Sequence, residues 1–545
     1  MNRRSTFAPV LGALLALAVF LLPAAGQAFC GFYVGGAGAK MFNDATVVVM
    51  MREGTRTVLS MQNAYKGPPE KFAMVVPVPV VLQQDNVKTL KRELFDHIDQ
   101  LASPRLVEYW EQDPCAPPVA YAPAGGKGGM PMPPSAAAPV ARGDLGVKIE
   151  AQFTVGEYQI VILSAKDSGG LDTWLHREGY NIPEGGEPYF RPYVAAGSKF
   201  FVAKVDVTKV KMEDGVALLS PLRFHYDSDD FKLPVRLGLI NSSGTQDLII
   251  HILGRGRYEV ANYPNVTIPT NLDVSEAASD KFGTFYTSLF DRTVEKNPKA
   301  VVTEYAWEPT SCDPCPGPAM NLGDLSTFGA DVLPKDTANS GGQFVLTRLH
   351  LRYTKESLGE DITFRSAPPI VGGREMTSSD GKLEHGAVPS SFNNFQARYA
   401  IRHGWTGPIA CKEPHRGVWG GKPGTNAYEP APPKAAQKLG LAPHVKTELA
   451  SFVKQDIPEI GFTRSAVAMA PVTAPATPPN ETATTDAGTT TDAGATSDAG
   501  AKKGCLGCAV VATNDAPAPG SWLVGLGLAA LLVRRNRRRK TSCES

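Results

Sequence analysis

Thr46-Val47-Val48-Val49-Met50-Met51, a Glu53-Gly54 turn, then Thr57-Val58-Leu59-Ser60-Met61 form the stretch on which the fold turns. Two β-branched runs flank a glycine turn, which predicts an antiparallel pair. Outward from it, Phe72 to Val81 is a third apolar run. Its Pro77 and Pro79 lack ladder donors, which puts its end at a sheet edge. Val147 to Phe153 alternates as a half-buried strand, and Tyr158 to Leu163 is its expected partner. Further strands are expected at Phe200–Val207, Leu222–Tyr226, Val235–Ile240, Leu248–Leu253, Val301–Trp307, Phe344–Tyr353 and Ala397–Ile401. Val87, Leu90, Leu94, Ile98 and Leu101 recur at helical spacing, so Val87 to Leu101 is read as an amphipathic helix. Ser103 and Pro104 then read as the start of a second short helix carrying Leu106, Val107, Tyr109 and Trp110 toward Cys115. Short helices are expected at Leu171–Gly179 and Pro188–Ala196, and a longer one at Phe282–Val294. The class is α+β: β-rich, with mainly antiparallel sheets and inserted helices.

The ends of the chain speak of location. Arg3 and Arg4, the apolar run Leu11 to Leu22 and the small residues Gly26 and Ala28 read as a signal peptide over residues 1–28, cut after Ala28. At the other end Gly504-Cys505-Leu506-Gly507-Cys508 precedes an apolar run, Trp522 to Val533, backed by Arg534, Arg535, Arg537, Arg538, Arg539 and Lys540. Clustered cations resist translocation, so the residues ahead of them are expected outside the inner membrane. The expected partner is the membrane, reached through a C-terminal transmembrane helix. The run is about a dozen residues, short of the ~20 that span a bilayer, which favours a processed signal over a permanent anchor.

Between these ends we read an N-terminal β-rich part with helices (29–115), a Pro/Ala/Gly-rich flexible insertion (116–142) and a main α+β body (143–425). A partly ordered extension (426–470), a low-complexity stalk (471–503) with Asp-Ala-Gly at 486, 492 and 498, and the sorting tail (504–545) follow. The net charge of +1 comes from well-mixed residues. No folded basic face is apparent, so no nucleic acid is expected as partner.

Chemistry concentrates in cysteines. Of eight, Cys30, Cys115, Cys312, Cys315 and Cys411 belong to the exported body, an odd set that permits two bridges and one free thiol in undetermined pairing. Cys312-Asp313-Pro314-Cys315 invites a redox reading, but Pro316-Gly317-Pro318 follows where a helix would be needed. A loop staple is favoured. Cys312, Cys315, Cys411 and His415 also make a zinc-type donor set, against which an oxidising compartment competes. His225 to Asp230 offers three carboxylates but lacks a calcium-loop pattern. Arg348, His350 and Arg352 alternate on one strand face, as an anion-binding face or, more simply, as the wet side of a sheet. Trp405 and Trp419 flank Cys411, which reads as a disulfide-pinned loop packing its aromatics rather than as a carbohydrate platform. No phosphate loop, nucleophile elbow or zincin helix is present.

Several stretches together resemble a bacterial family, domain of unknown function 2330. They are Cys30 to Val34, Phe72 to Pro79 with its Val-Pro-Val-Pro, Ser220 to Tyr226, Leu233 to Gly238, Cys312 to Cys315, and His403-Gly404-Trp405 through Cys411 to Trp419-Gly420. The resemblance spans about residues 30 to 425 and implies an exported protein without supplying an activity. The tail from Gly504 to Lys540 is similar to the myxobacterial C-terminal sorting signal. That similarity implies a sortase-like intramembrane protease as partner, with Cys505 and Cys508 as the sorting or lipidation residues. The expectation is an exported, envelope- or surface-anchored, non-enzymatic binding or structural module without a cofactor, whose partner is an envelope protein or a glycan. The alternative is an exported metal- or thiol-dependent enzyme using Cys312, Cys315, Cys411 and His415.

Overall fold

A computed structural model of the chain describes residues 32–34, 46–62, 73–116, 146–180, 182, 185–213, 216–241, 244–334, 344–375, 383–424, 432–436 and 449–464. All belong to the first of two units, residues 1–469, the second being residues 470–545. The signal peptide, nearly all of the Pro/Ala/Gly-rich insertion, the stalk, the tail, and Cys30, Cys505 and Cys508 lie outside the described residues. Among the described residues no helix is long and apolar enough to cross a membrane.

The architecture is α+β and β-rich, as read from the sequence. Thr46–Glu53 and Arg56–Gln62 pair antiparallel at the centre of an eleven-stranded sheet. To one side lie Leu222–Asp227 and Val87–Thr89. To the other lie Gln246–Gly254, Val345–Tyr353 and Val301–Trp307, then short edge strands. A five-stranded sheet runs Phe32–Val34, Ala73–Val78, Lys199–Val205, Tyr158–Ala165, Val147–Val155, all antiparallel. Phe32–Val34 pairs with Ala73–Val75, and among the described residues nothing pairs on that side with the half of the strand carrying Pro77, where a missing donor costs nothing.

Alternation explains the layering. Val48, Met50, Leu248, Ile250 and Ile252 of the large sheet share a core with Met74, Val76, Ile160, Ile162 and Phe201 of the small one. Each of these side chains is essentially unexposed, worth ~1.5–3 kcal/mol in water-to-core transfer for residues of this type. The outer face of the small sheet, with Phe200 and Val202, is covered by helices Ser168–Arg177 and Glu187–Ala195 through Leu171, Leu175 and Phe190. The outer face of the large sheet is covered by Arg92–Ala102 and Leu322–Phe328, and by Phe282–Lys296. Both sheets are therefore covered on both faces: helices, sheet, sheet, helices. A third, mixed sheet pairs Arg105–Glu111 with Arg398–His403 in parallel.

Three local readings are corrected. The second short helix after Pro104 is the strand Arg105–Glu111. Ser103 instead closes the preceding helix, its N–H bonding the Asp99 carbonyl, and Pro104 cannot continue it. The helix begins at Arg92, because Val87–Thr89 is drawn into pairing with Leu222–Phe224. Val235–Ile240 is no strand but the start of a 3₁₀ turn over Arg236–Asn241. The N–H groups of Val235 and Arg236 bond the Asp361 carboxylate rather than a neighbouring strand.

Gly373 marks a point where backbones nearly touch. Its φ is +71°, and a Cβ there would stand 1.9 Å from the Gln396 carbonyl. Gly373→Ala is expected to cost ~3 kcal/mol or more. Gly54, also at positive φ but in open space, should lose only ~1 kcal/mol on the same change. Denaturant unfolding of the two variants checks this; equal losses would contradict it.

Candidate functional site

Three of the stretches that carry the family resemblance meet at one end of the two-sheet core. Pro77, Val78 and Pro79 come from the Val-Pro-Val-Pro run, Tyr226 from Ser220–Tyr226, and Pro234 from Leu233–Gly238. With Pro192, Tyr193, Ala196, Ser198, Ser228, Asp230, Lys232 and Asp361 they line a cleft of about 280 Å³. Proline suits each place for a local reason. Pro77 and Pro79 end an edge strand, and Pro192 sits inside the helix Glu187–Ala195. The result is a mixed lining, with proline, valine and alanine carbon on one part and Tyr193, Ser198, Tyr226, Ser228, Asp230, Lys232 and Asp361 on the rest.

Asp361 organises the polar side. One of its oxygens accepts from the Tyr193 hydroxyl at 2.8 Å, from Val235 N–H at 2.8 Å and from Arg236 N–H at 3.0 Å. Burial pushes its carboxyl above the ordinary 3.8, against those hydrogen bonds. Tyr226 is 8 % exposed and lines the cleft, its hydroxyl not among the fully buried polar atoms that lack a partner. At the rim Lys232 pairs with Asp230 at 2.6 Å. The motifs could have pointed to Pro77, Tyr226 and Pro234, but Asp361, Tyr193 and Pro192 carry no sequence signal of their own.

The cysteines resolve into two bridges, Cys115–Cys411 across 296 residues and Cys312–Cys315. The proposed zinc donors are not brought together as ligands: Cys411 is bonded to Cys115, Cys312 to Cys315, and His415 meets Pro114 through its backbone. Among the described residues no three His, Cys, Asp or Glu side chains are placed to hold a metal. Asp227 and Asp230 of the acidic loop are paired with Arg56 and Lys232. The Cys312–Cys315 loop is held from below, where Arg105 donates to the Pro314 carbonyl at 2.8 Å and Gln396 to that of Asp313 at 2.7 Å.

The segment around Cys411 is pinned, but its aromatics are not packed away. Glu111 accepts from Arg416 at 2.7 and 2.9 Å and from the N–H groups of Trp405 and Gly417, which draws its carboxyl down to about 2. Trp419 remains 38 % exposed beside Val418 and Ile409, with Arg402 over its ring.

Arg348, His350 and Arg352 require a larger correction. They do line one strand face, but that face is roofed by helices: Arg348 and His350 are buried and Arg352 is partly so. Opposite them in register stand His251, Ile249 and Asp247. A β-bulge between Thr303 and Tyr305 inserts Glu304 as an extra residue among them. Glu304, fully buried, accepts from Arg348 Nε at 2.7 Å, from His350 Nδ1 at 2.8 Å and from the Tyr286 hydroxyl. Arg348 also reaches Asp99 and His251, His350 reaches Asp247, and Arg352 bonds Asp247 and Asp291. Burial opposes charge on all of these groups. The partners win for His350, whose pKa lies above 6.5, and for Glu304 and Asp247, which stay below the usual carboxylate values. His251 lies well below 6.5, through burial and then Arg348, and is neutral. The network is closed upon itself and ties helices to sheet.

The family model described as an uncharacterized protein conserved in bacteria, DUF2330, matches residues 24–365, and the chain belongs to that family. No curated protein and no solved structure matches the chain. Every residue lining the cleft falls inside the match. A second, more open cavity of about 410 Å³ draws Ile370, Ala387, Glu459 and Ile460 from beyond it. The cleft is therefore the better candidate for a site belonging to the family fold.

The network makes stability pH-dependent in two directions. His350, raised in the fold, stabilises fully below 6.5 and ceases to do so as pH climbs through its folded value. His251, depressed in the fold, lowers stability as pH falls below 6.5. Against wild type, His350→Gln should flatten the alkaline limb of a stability–pH profile, and His251→Gln the acid limb. Arg348→Met, which leaves Asp99 without its cation and Glu304 with His350 and Tyr286 alone, should cost ~3–5 kcal/mol. Parallel profiles for all proteins would show that these groups do not titrate as described.

Proposed function

We propose that this member of the DUF2330 family is an exported cell-envelope protein, attached through its C-terminal segment, whose β-rich body is a non-enzymatic binding or structural module. The Cys115–Cys411 bridge carries the reading. It ties together segments 296 residues apart, a closure worth about 6 kcal/mol in the chain-entropy model, and such bonds persist in oxidising compartments. The basic-apolar leader and the arginine-backed tail support the same location. The cleft supports binding over catalysis: its serines, Ser198 and Ser228, stand in a lining of prolines, tyrosines, a part-buried Asp361 and the paired Asp230 and Lys232, without a histidine to activate them. The partners expected are the membrane, a sortase-like intramembrane protease acting at the tail, and an envelope protein or glycan met by the body.

A thiol-dependent enzyme is the second reading, and one observation favours it: Cys315 lies exposed at the surface. The Arg105 and Gln396 hydrogen bonds that hold its loop favour a staple instead.

Thiol titration of the denatured, unreduced body should find a single reactive cysteine, Cys30, with the other four released only by reductant. Five free thiols, or stoichiometric zinc, would overturn the reading. Removing the residues after Ser521 should release the body from the cells, and retention of that truncated form on the surface would count against C-terminal attachment.

A further inference from the structure

The polar floor of the cleft is an unbalanced acid. Asp361 spends one oxygen on three donors and leaves the other without a hydrogen bond among the described residues. No cation forms an ion pair with it there. Arg236 favours its charge only through space, and Lys232, on the rim, is paired with Asp230. A part-buried carboxylate without a counter-ion gains free energy when an opposite charge arrives. The second observation is independent. Tyr226 is 8 % exposed and lines the same cleft, where its hydroxyl is not among the fully buried polar atoms and so stays open to a ligand. The walls are Pro77, Val78, Pro79, Pro192, Ala196 and Pro234, which offer carbon surface and no N–H donors from the prolines.

A ligand that satisfies all three features has a positive head able to donate hydrogen bonds and a short apolar stem. An anion would face Asp361. A neutral alkyl group would leave both polar groups orphaned. We propose that the cleft binds a primary ammonium group on a short alkyl stem, with the Asp361 carboxylate taking the charge, the Tyr226 hydroxyl accepting a hydrogen bond and the proline walls packing the methylenes. About 280 Å³ leaves room for four or five methylenes and a head group. The same chemistry is carried by a lysine side chain of an envelope protein and by a free diamine. Because burial raises the Asp361 carboxyl, affinity falls as pH is lowered and the carboxyl takes up a proton. The inference rests on the reading of the body as a binding module.

The test uses the full, oxidised chain in calorimetric titrations with N-acetyl-lysine methylamide, 1,5-diaminopentane and, as a neutral control, 1-pentanol. Saturable one-to-one binding of at least one amine, with no binding of the alcohol, is expected. Asp361→Asn keeps an oxygen for Tyr193, Val235 and Arg236 and removes only the charge. It should weaken binding by about tenfold or more. Tyr226→Phe, which keeps the ring, should weaken it severalfold and serves alone if the first variant melts early. Binding of the lysine amide alone assigns a protein-borne lysine, and binding of the diamine alone a free amine. No saturable amine binding, or undiminished affinity in both variants, overturns the proposal. Either failure leaves the thiol count and the localisation results standing, so the two readings fail separately.

Discussion

Glu304 is the constraint around which this fold is arranged. A carboxylate with no exposed surface can stay ionised only if cations and donors surround it. Here the partners come from elements far apart in sequence: Arg348 and His350 on the neighbouring strand, and Tyr286 on the helix Phe282–Lys296. Through Arg348 the same group reaches Asp99 on the helix Arg92–Ala102. A bulge puts Glu304 on this face, and its carbonyl is taken by Ala397 N–H. Slipping any of the three strands by one residue would turn these charges into the apolar core between the sheets. The network thus defines register for the large sheet and docks two helices on it. Hydrophobic burial alone, which has no direction, does neither.

Among the described residues the small sheet has no such network. Its place is set by apolar side chains interdigitating with the large sheet, and beside Pro77 no described strand continues it. The cleft forms there because the chain around it departs from regular pairing. Asp361 accepts N–H groups of Val235 and Arg236 that a strand neighbour would otherwise have taken. A carboxylate standing in for a strand leaves room beside it, and that room is bounded by prolines, which neither donate hydrogen bonds nor close a ladder. The Cys115–Cys411 bridge acts elsewhere, fastening the exposed Trp419 segment to the end of the strand Arg105–Glu111. The anchoring by Glu111 shows a surface segment held in shape by the fold rather than by its own composition.

Much of the backbone was legible from residue pattern. The paired strands around Gly54, the strand Leu248–Leu253 within its all-buried run, and the helix from Phe282 follow from β-branched enrichment, apolar run length and helical spacing. Where the reading failed, a distant partner had overruled local preference. Arg105–Glu111 is a strand because Arg398–His403 lies beside it, and Arg236–Asn241 is a 3₁₀ turn because Asp361 holds its start. The alternation of Arg348, His350 and Arg352 correctly placed them on one face. It could not say that helices roof that face, since a charged residue paired in the interior looks the same in sequence as one in water.

The chain's own residues determined its class, its most regular elements and the basic-apolar patterns at its ends, because each of these depends on neighbours in sequence. Tertiary structure alone decided which cysteines bond, which charges are buried together and where proline, tyrosine and Asp361 meet to form a cleft. Those outcomes depend on distances between segments up to nearly three hundred residues apart. No local pattern encodes a distance of that kind, and only the closing of the two sheets on one another fixes it.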